Sequence, residues 1–117
     1  MSGINFNQRD IVSVPFVYSD LSGQKYRPVL ILSNQDYNGS NNNFICCAIT
    51  GNLKQEFRGI LIKNENLEAG ILAKDSVLIP PQVINIKKQL IRKKYGTLQK
   101  EKSQEVLNFL NLKIFLD

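Results

Sequence analysis

The chemistry open to this chain is bounded first by what it lacks. Its 117 residues include no histidine, which excludes imidazole acid–base catalysis, the usual serine or cysteine triads and histidine-ligated metals. Its two cysteines, Cys46 and Cys47, are adjacent and have no CxxC spacing, so a zinc site is excluded too. On a strand these thiols point to opposite faces, and a bond between them needs a strained turn. They read as small apolar side chains in a reduced core. Reactive groups must then come from Arg, Lys, Asp, Glu, Ser, Thr or Tyr. Arg27 stands out among them because Pro28 and the apolar run Val29–Leu32 come directly after it. Proline lacks an N–H and suits the first position of a strand. The apolar run reads as a strand buried on both faces. A permanent cation is thus held on rigid scaffold beside a polar loop.

Charge is uneven. Of the net +5, residues 87–102 carry +6, because Lys87, Lys88, Arg92, Lys93, Lys94, Lys100 and Lys102 oppose Glu101 alone; about −1 is left for the rest. A basic stripe on a near-neutral body is the footprint of a polyanion binder. A lysine face kept for solubility accounts for the same charges. No segment reaches the roughly 18 apolar residues of a membrane span. The first ten residues contain no apolar signal region, so no membrane association and a cytoplasmic location are expected.

The elements that must position Arg27 are mostly strands. Asp10–Phe16 has the β-branched content of a first strand, with Pro15 at a sheet edge. Val17–Tyr26 is a polar loop. After the Arg27–Asn34 strand, Gln35–Asn43 reads as a loop with an Asn38-Gly39 turn. Phe44–Thr50 is a continuous apolar run and the expected central strand. Phe57–Ile62 returns the chain, with Gly59 as a candidate bulge. Glu65–Lys74 is a polar connection. Asp75–Ile79 is a strand stopped by Pro80-Pro81, and Gln82–Lys87 resumes extended structure, so a bend or edge is required there. Leu90–Tyr95 is basic enough to lie on the surface. From Leu98 the period becomes helical, with Val106, Leu110 and Ile114 on one stripe flanked by Leu107 and Phe109. Thr97 is the nearest N-cap, and Ser103 would start the helix late. The pattern predicts a β-rich α+β fold, a partly closed barrel with a C-terminal helix, spanning 1–117 as one domain.

Taken in order, several stretches resemble the MazF/PemK family of toxin endoribonucleases. They are Arg9-Asp10-Ile11-Val12 with Val14-Pro15-Phe16, then Gly23-Gln24-Lys25-Tyr26-Arg27-Pro28-Val29, Ala48-Ile49-Thr50-Gly51-Asn52-Leu53, Lys74-Asp75-Ser76-Val77-Leu78 with Gln82, and Gly96-Thr97-Leu98. The resemblance runs from about Arg9 to the C-terminus. It implies an SH3-like barrel of the MazF/PemK/CcdB kind acting as a homodimer. It also implies cleavage of single-stranded RNA with no metal and no cofactor, and a small cognate antitoxin that blocks the groove. The family's catalytic arginine and threonine fall on Arg27 and Thr50. Gln82 falls on a groove glutamine, and Ser19 to Tyr26 on the loop that covers substrate and antitoxin. Gln24, Lys25, Asn52, Lys54 and Gln82 form the implied RNA-binding set. The chain departs from the family in having no glutamate before Gln24, Pro81 where many members are acidic, and Ile84 where many carry arginine.

These residue types suit that chemistry. RNA brings its own nucleophile, the 2′-hydroxyl, so the protein need only stabilise a more negative pentacoordinate phosphate. The planar fork of Arg27 grips two phosphate oxygens and stays charged. Thr50 can donate its hydroxyl to the same phosphate. The general base is open between Asp20 and Asp75. The implied products are a 2′,3′-cyclic phosphate and a 5′-hydroxyl. Simpler roles exist for each residue: a surface ion pair for Arg27, a turn for Thr50 and backbone satisfaction near Pro80-Pro81 for Gln82. Two other functions fit the same residues. One is a toxin of this fold that inhibits a DNA enzyme such as gyrase, and the other a nucleic-acid-binding barrel that binds without cutting.

Overall fold

The computed structural model describes residues 5–17, 24–54 and 59–115. Its strands are β1 (Asp10–Val17), β2 (Gln24–Ile31), β3 (Asn43–Thr50), β4 (Ile60–Ile62), β5 (Leu67–Gly70), β6 (Ser76–Lys87) and β7 (Lys93–Leu98), with helices α1 (Gln35–Ser40) and α2 (Lys100–Phe109). They form one antiparallel sheet in the order β4-β6-β3-β2-β1-β7-β5. The sheet curls into a half-barrel closed off by the C-terminal helix, the architecture the strand pattern predicts.

The central strands are buried on both faces, which is why they read as unbroken apolar runs. Alternate residues Ile11, Leu30, Cys47 and Ile49 enter one core cluster, which Val106 and Leu110 cover. Their neighbours Val12, Val29, Ile31 and Cys46 enter a second cluster on the opposite face, where Phe6, Ile84 and Ile91 pack. The two cysteines thus face opposite ways, as strand geometry requires. Burial pushes both thiols up to about 12.

All four prolines sit inside strands. β2 begins at Gln24, so Pro28 is internal rather than first. β3 pairs only with Val29–Ile31, leaving β1 as the ladder neighbour of the upstream half among the described residues, and a missing N–H is tolerated there. Pro15 lies beyond Ser13, where β7 stops pairing with β1, and so occupies the expected edge. β6 runs through Pro80-Pro81, but its ladder does not. Cys47 pairs with Val83 and Ile49 with Leu78, so 79–82 bulge out opposite Ala48. The Ile79 carbonyl freed by this bulge accepts the Cys47 thiol at 3.0 Å.

Other expectations are corrected. Gln35–Asn43 is not all loop, because Asn34 caps α1 by accepting from the Tyr37 N–H at 2.9 Å. Asn38 makes no turn. It is buried, donates to the Ser33 carbonyl at 2.9 Å and accepts from the Ser33 hydroxyl at 2.5 Å. The polar connection 65–74 contains β5, hidden from pattern reading because Leu67 alone is buried in it. Gly59 makes a close approach to β6, where a Cβ would fall 1.9 Å from the Leu78 carbonyl oxygen. Of the expected Phe57–Ile62 return, 57 and 58 lie outside the described residues.

The last helix starts at Lys100. Thr97 belongs to β7 and donates its hydroxyl to buried Asp10 at 2.8 Å, so it caps nothing. Gln99 takes the N-cap position without a side-chain bond, and Ser103 is buried inside the helix. From Leu110 to Phe115 the chain winds as a π-helix. The wider turn carries Ile114 off the stripe to 41 % exposure. Among the described residues no helix is long and apolar enough to cross a membrane.

Two outcomes are expected. Asn38→Ala lowers the urea midpoint by an amount equivalent to about 1–3 kcal/mol, because the Ser33 carbonyl and hydroxyl lose a buried partner. Both thiols resist Ellman's reagent at pH 8 in the native protein and react on unfolding. Because the folded thiols hold their protons to about 12 while unfolded ones release them near 9.0, the thiol contribution to stability falls as pH rises through that window. In a urea titration at several pH values, that part of the alkaline loss disappears in the Cys46→Ala/Cys47→Ala variant.

Candidate functional site

Three neighbouring strands, β2, β3 and β6, bring the candidate residues to one end of the sheet. Arg27 lies across from Val14 on β1 and is half-buried. On its other side β2 meets β3 with Val29 opposite Ala48. Their pairing stops there, two residues short of Arg27 on β2 and of Thr50 on β3; the same register continued would set the two across from each other. Both follow by strand alternation from Val29 and Cys46 of the second cluster, so they share a face. Lys25 stands two residues upstream on the same face and is exposed.

Thr50 ends β3 opposite Val77 of β6. Its Oγ1 accepts from the Asn52 N–H at 3.1 Å, and Asn52 Oδ1 accepts from the Lys54 N–H at 3.1 Å. The turn reading of Thr50 is therefore correct, and it has a chemical consequence. A hydroxyl that accepts from a backbone amide still has a proton to donate. That proton has no acceptor among the described residues, and the amide fixes the oxygen from which it points. Asn52 and Lys54 themselves are exposed beside it.

Gln82 lies in the proline bulge of β6, opposite Ala48. It is exposed, next to Val83, where the β3–β6 ladder resumes. Ile84 is packed against the second cluster. Gln24 opens β2 opposite Val17, so 24–26 belong to a strand and not to the expected loop. The remainder of that loop, with the candidate base Asp20, lies outside the described residues. Asp75 is half-buried just before β6, two residues from the Val77 partner of Thr50.

Sequence reasoning missed Lys74 as a site residue. A Cβ on Gly51 would come within 2.2 Å of Lys74 Cε and 2.8 Å of its Nζ. The lysine therefore lies across the glycine that comes after Thr50. The available signal was that glycine, which lets the flexible Lys74 side chain lie close over the backbone. Lys25, Arg27, Lys54 and Lys74 together make this end of the sheet cationic. The described residues hold no group of three or more His, Cys, Asp or Glu side chains placed for a metal.

The family described as PemK-like, MazF-like toxin of type II toxin-antitoxin system matches residues 7–114. The chain belongs to this family. The fold of these MazF-like toxins is found in solved structures. The Mycobacterium tuberculosis toxin MazF-mt6 superposes with a TM-score of 0.72 at 20 % identity, covering 93 % of this chain and 99 % of that one. A Deinococcus radiodurans MazE-MazF structure gives 0.69 at 19 %, covering 90 % and 92 %. An endoribonuclease in complex with its cognate antitoxin from a mycobacterial species gives 0.66 at 11 %, covering 97 % and 98 %. No curated protein sequence matches the chain.

In this PemK-like chain the Thr50 hydroxyl can be separated from its bulk. Thr50→Val is expected to keep the circular dichroism spectrum and lose about 0.5–1.5 kcal/mol in urea denaturation, the worth of one hydrogen bond. Thr50→Ser retains the acceptor and is expected to stay within about 0.5 kcal/mol of the parent.

Proposed function

We propose that this toxin is a metal-independent endoribonuclease that cuts single-stranded RNA, with Arg27 and Thr50 acting on the scissile phosphate. The reading is supported by the β2–β3 register, which, if continued two residues past the Val29–Ala48 pair, would bring the Arg27 guanidinium and the Thr50 hydroxyl to the same face, the hydroxyl with a proton still to donate. In the reaction the RNA 2′-oxygen forms a bond to phosphorus as the bond from phosphorus to the 5′-oxygen breaks. The 2′-hydroxyl gives up its proton and the leaving 5′-oxygen gains one. The products are a 2′,3′-cyclic phosphate and a 5′-hydroxyl. Arg27 stabilises the added charge on the nonbridging oxygens, and fixed donors of this kind are worth most where charge develops. Thr50 orients the phosphate through its remaining proton.

Gln24, Lys25, Asn52, Lys54 and Gln82 flank this pair and contact the strand on either side. Proton transfer falls to Asp75 or Asp20. The partners are single-stranded RNA, a cognate antitoxin and a second copy of the chain. Dimerisation is supported by the apolar end of the C-terminal helix, where Leu112 and Phe115 are 61 % and 65 % exposed. Pro81 and Ile84 favour one rival, a barrel that binds nucleic acid without cutting it, because neither brings an acid or a cation to the groove.

Incubation of the purified protein with a long single-stranded RNA in EDTA is expected to give discrete fragments ending in cyclic phosphate. Arg27→Ala is expected to slow cleavage about 10²–10³-fold while keeping its melting temperature. Intact RNA with a folded, antitoxin-free wild-type sample would exclude the nuclease reading. Salt-sensitive binding in the same sample would favour the rival.

A further inference from the structure

A second concave site lies at the other end of the face that carries Arg27. It has a volume of about 680 Å³, within the range of small-molecule pockets. Its wall is unusual in composition. Phe44 and half-buried Phe6 supply aromatic surface, and Lys88 and Arg92 supply two cations. Carboxamides including Asn7 and Gln89 complete the lining, and no carboxylate contributes to it among the described residues. Lys88 is held in place twice, by donating to the Asn38 carbonyl and by standing 5.3 Å from the Phe44 ring centroid. Only one of its three N–H donors is used in that bond.

We propose that this pocket binds a nucleotide unit, its base against Phe6 and its phosphate on Lys88 and Arg92. Each part of the wall matches one part of such a ligand. Bases stack on aromatic rings with little regard to identity, and carboxamides read their edges. Cations with no competing carboxylate suit the phosphate. The ligand has two sources to choose between, a residue of an RNA strand that also crosses Arg27, or a free nucleotide. Arg92 lines the pocket and stacks 4.6 Å from the ring of Tyr26, and β2 itself spans the distance between the two sites. From Arg27 to the Ile31 end of β2 is about 13 Å at 3.3 Å per residue, which a few extended nucleotides cross. The RNA source rests on the proposed nuclease reading; the binding of a nucleotide does not.

The test is an amide-shift titration of the intact protein by NMR. The probes are adenosine, guanosine, cytidine and uridine 5′-monophosphates, inorganic phosphate, and a 2′-O-methyl oligonucleotide that lacks the nucleophile. Saturable shifts at Phe44, Lys88 and Gln89 are expected, larger with a nucleotide than with phosphate. Shifts with mononucleotides support the free source, and shifts with the oligonucleotide alone support the strand. Arg92→Ala is expected to weaken binding about tenfold, the worth of one charge-assisted contact. Lys93→Ala, which removes the same charge outside the pocket, leaves it within about twofold. If no probe moves these residues, or phosphate moves them as much as any nucleotide, the proposal is overturned. RNA cleavage measured in parallel tells that failure from a failure of the nuclease reading.

Discussion

Pro80 and Pro81 have no N–H to give to a ladder, and the sheet is arranged around that deficit. The break falls between two well-formed stretches of β3–β6 pairing, so β6 stays one strand while 79–82 leave the hydrogen-bonded plane. The freed Ile79 carbonyl is satisfied by the Cys47 thiol, which keeps the bulge from leaving a buried acceptor unpaired. Upstream of the break β6 lies between β4 and the end of β3 and pairs with both. Downstream it pairs with β3 alone, and the local increase in twist that accompanies a bulge helps the sheet curl. Gln82 leaves this bulge beside the strand that ends in Thr50. A residue that would otherwise be locked in a ladder is presented at the surface instead.

On that curled face, charge and geometry converge. β2 and β3 are buried on both sides over Val29–Ile31 and Cys46–Ile49, and Arg27 and Thr50 extend from those packed segments as strand residues. The backbone amide of Asn52 uses one acceptor site of the Thr50 oxygen and leaves its proton available. Lys74 adds a cation over Gly51. The basic segment after β6 serves the opposite end of the face, where Lys88 is held by the Phe44 ring. A polyanion laid along this surface would meet cations at both ends.

Much of this was legible in the sequence where burial was two-sided. The runs Val29–Leu32 and Phe44–Thr50 announced central strands because both faces of the sheet are covered. Adjacent Cys46 and Cys47 had to part to opposite faces for the same reason. Short elements carried too little pattern. β5 buries Leu67 alone, and α1 depends on Asn34 and on a buried amide that resembles a turn signal. Thr97 resembled a helix cap, but a long-range bond to Asp10 claimed its hydroxyl. The stripe through Ile114 assumed an α period that the π-helical turn does not keep. For the site, strand register is what ties Arg27 to Thr50, and register is a tertiary property. Lys74 could not be found from its own surroundings in the chain, because its contact is with Gly51.

The central claim is that Arg27 and Thr50 act as one unit on one phosphate. A double-mutant cycle tests it most directly, with single-turnover RNA cleavage rates for the parent, Arg27→Ala, Thr50→Val and the double variant. If the two groups hold the same phosphate, the double variant is no slower than the slower single variant, or nearly so, because the second loss has nothing left to remove. If the two losses multiply, the residues work independently, and the alignment of β2 with β3 is not what makes the site.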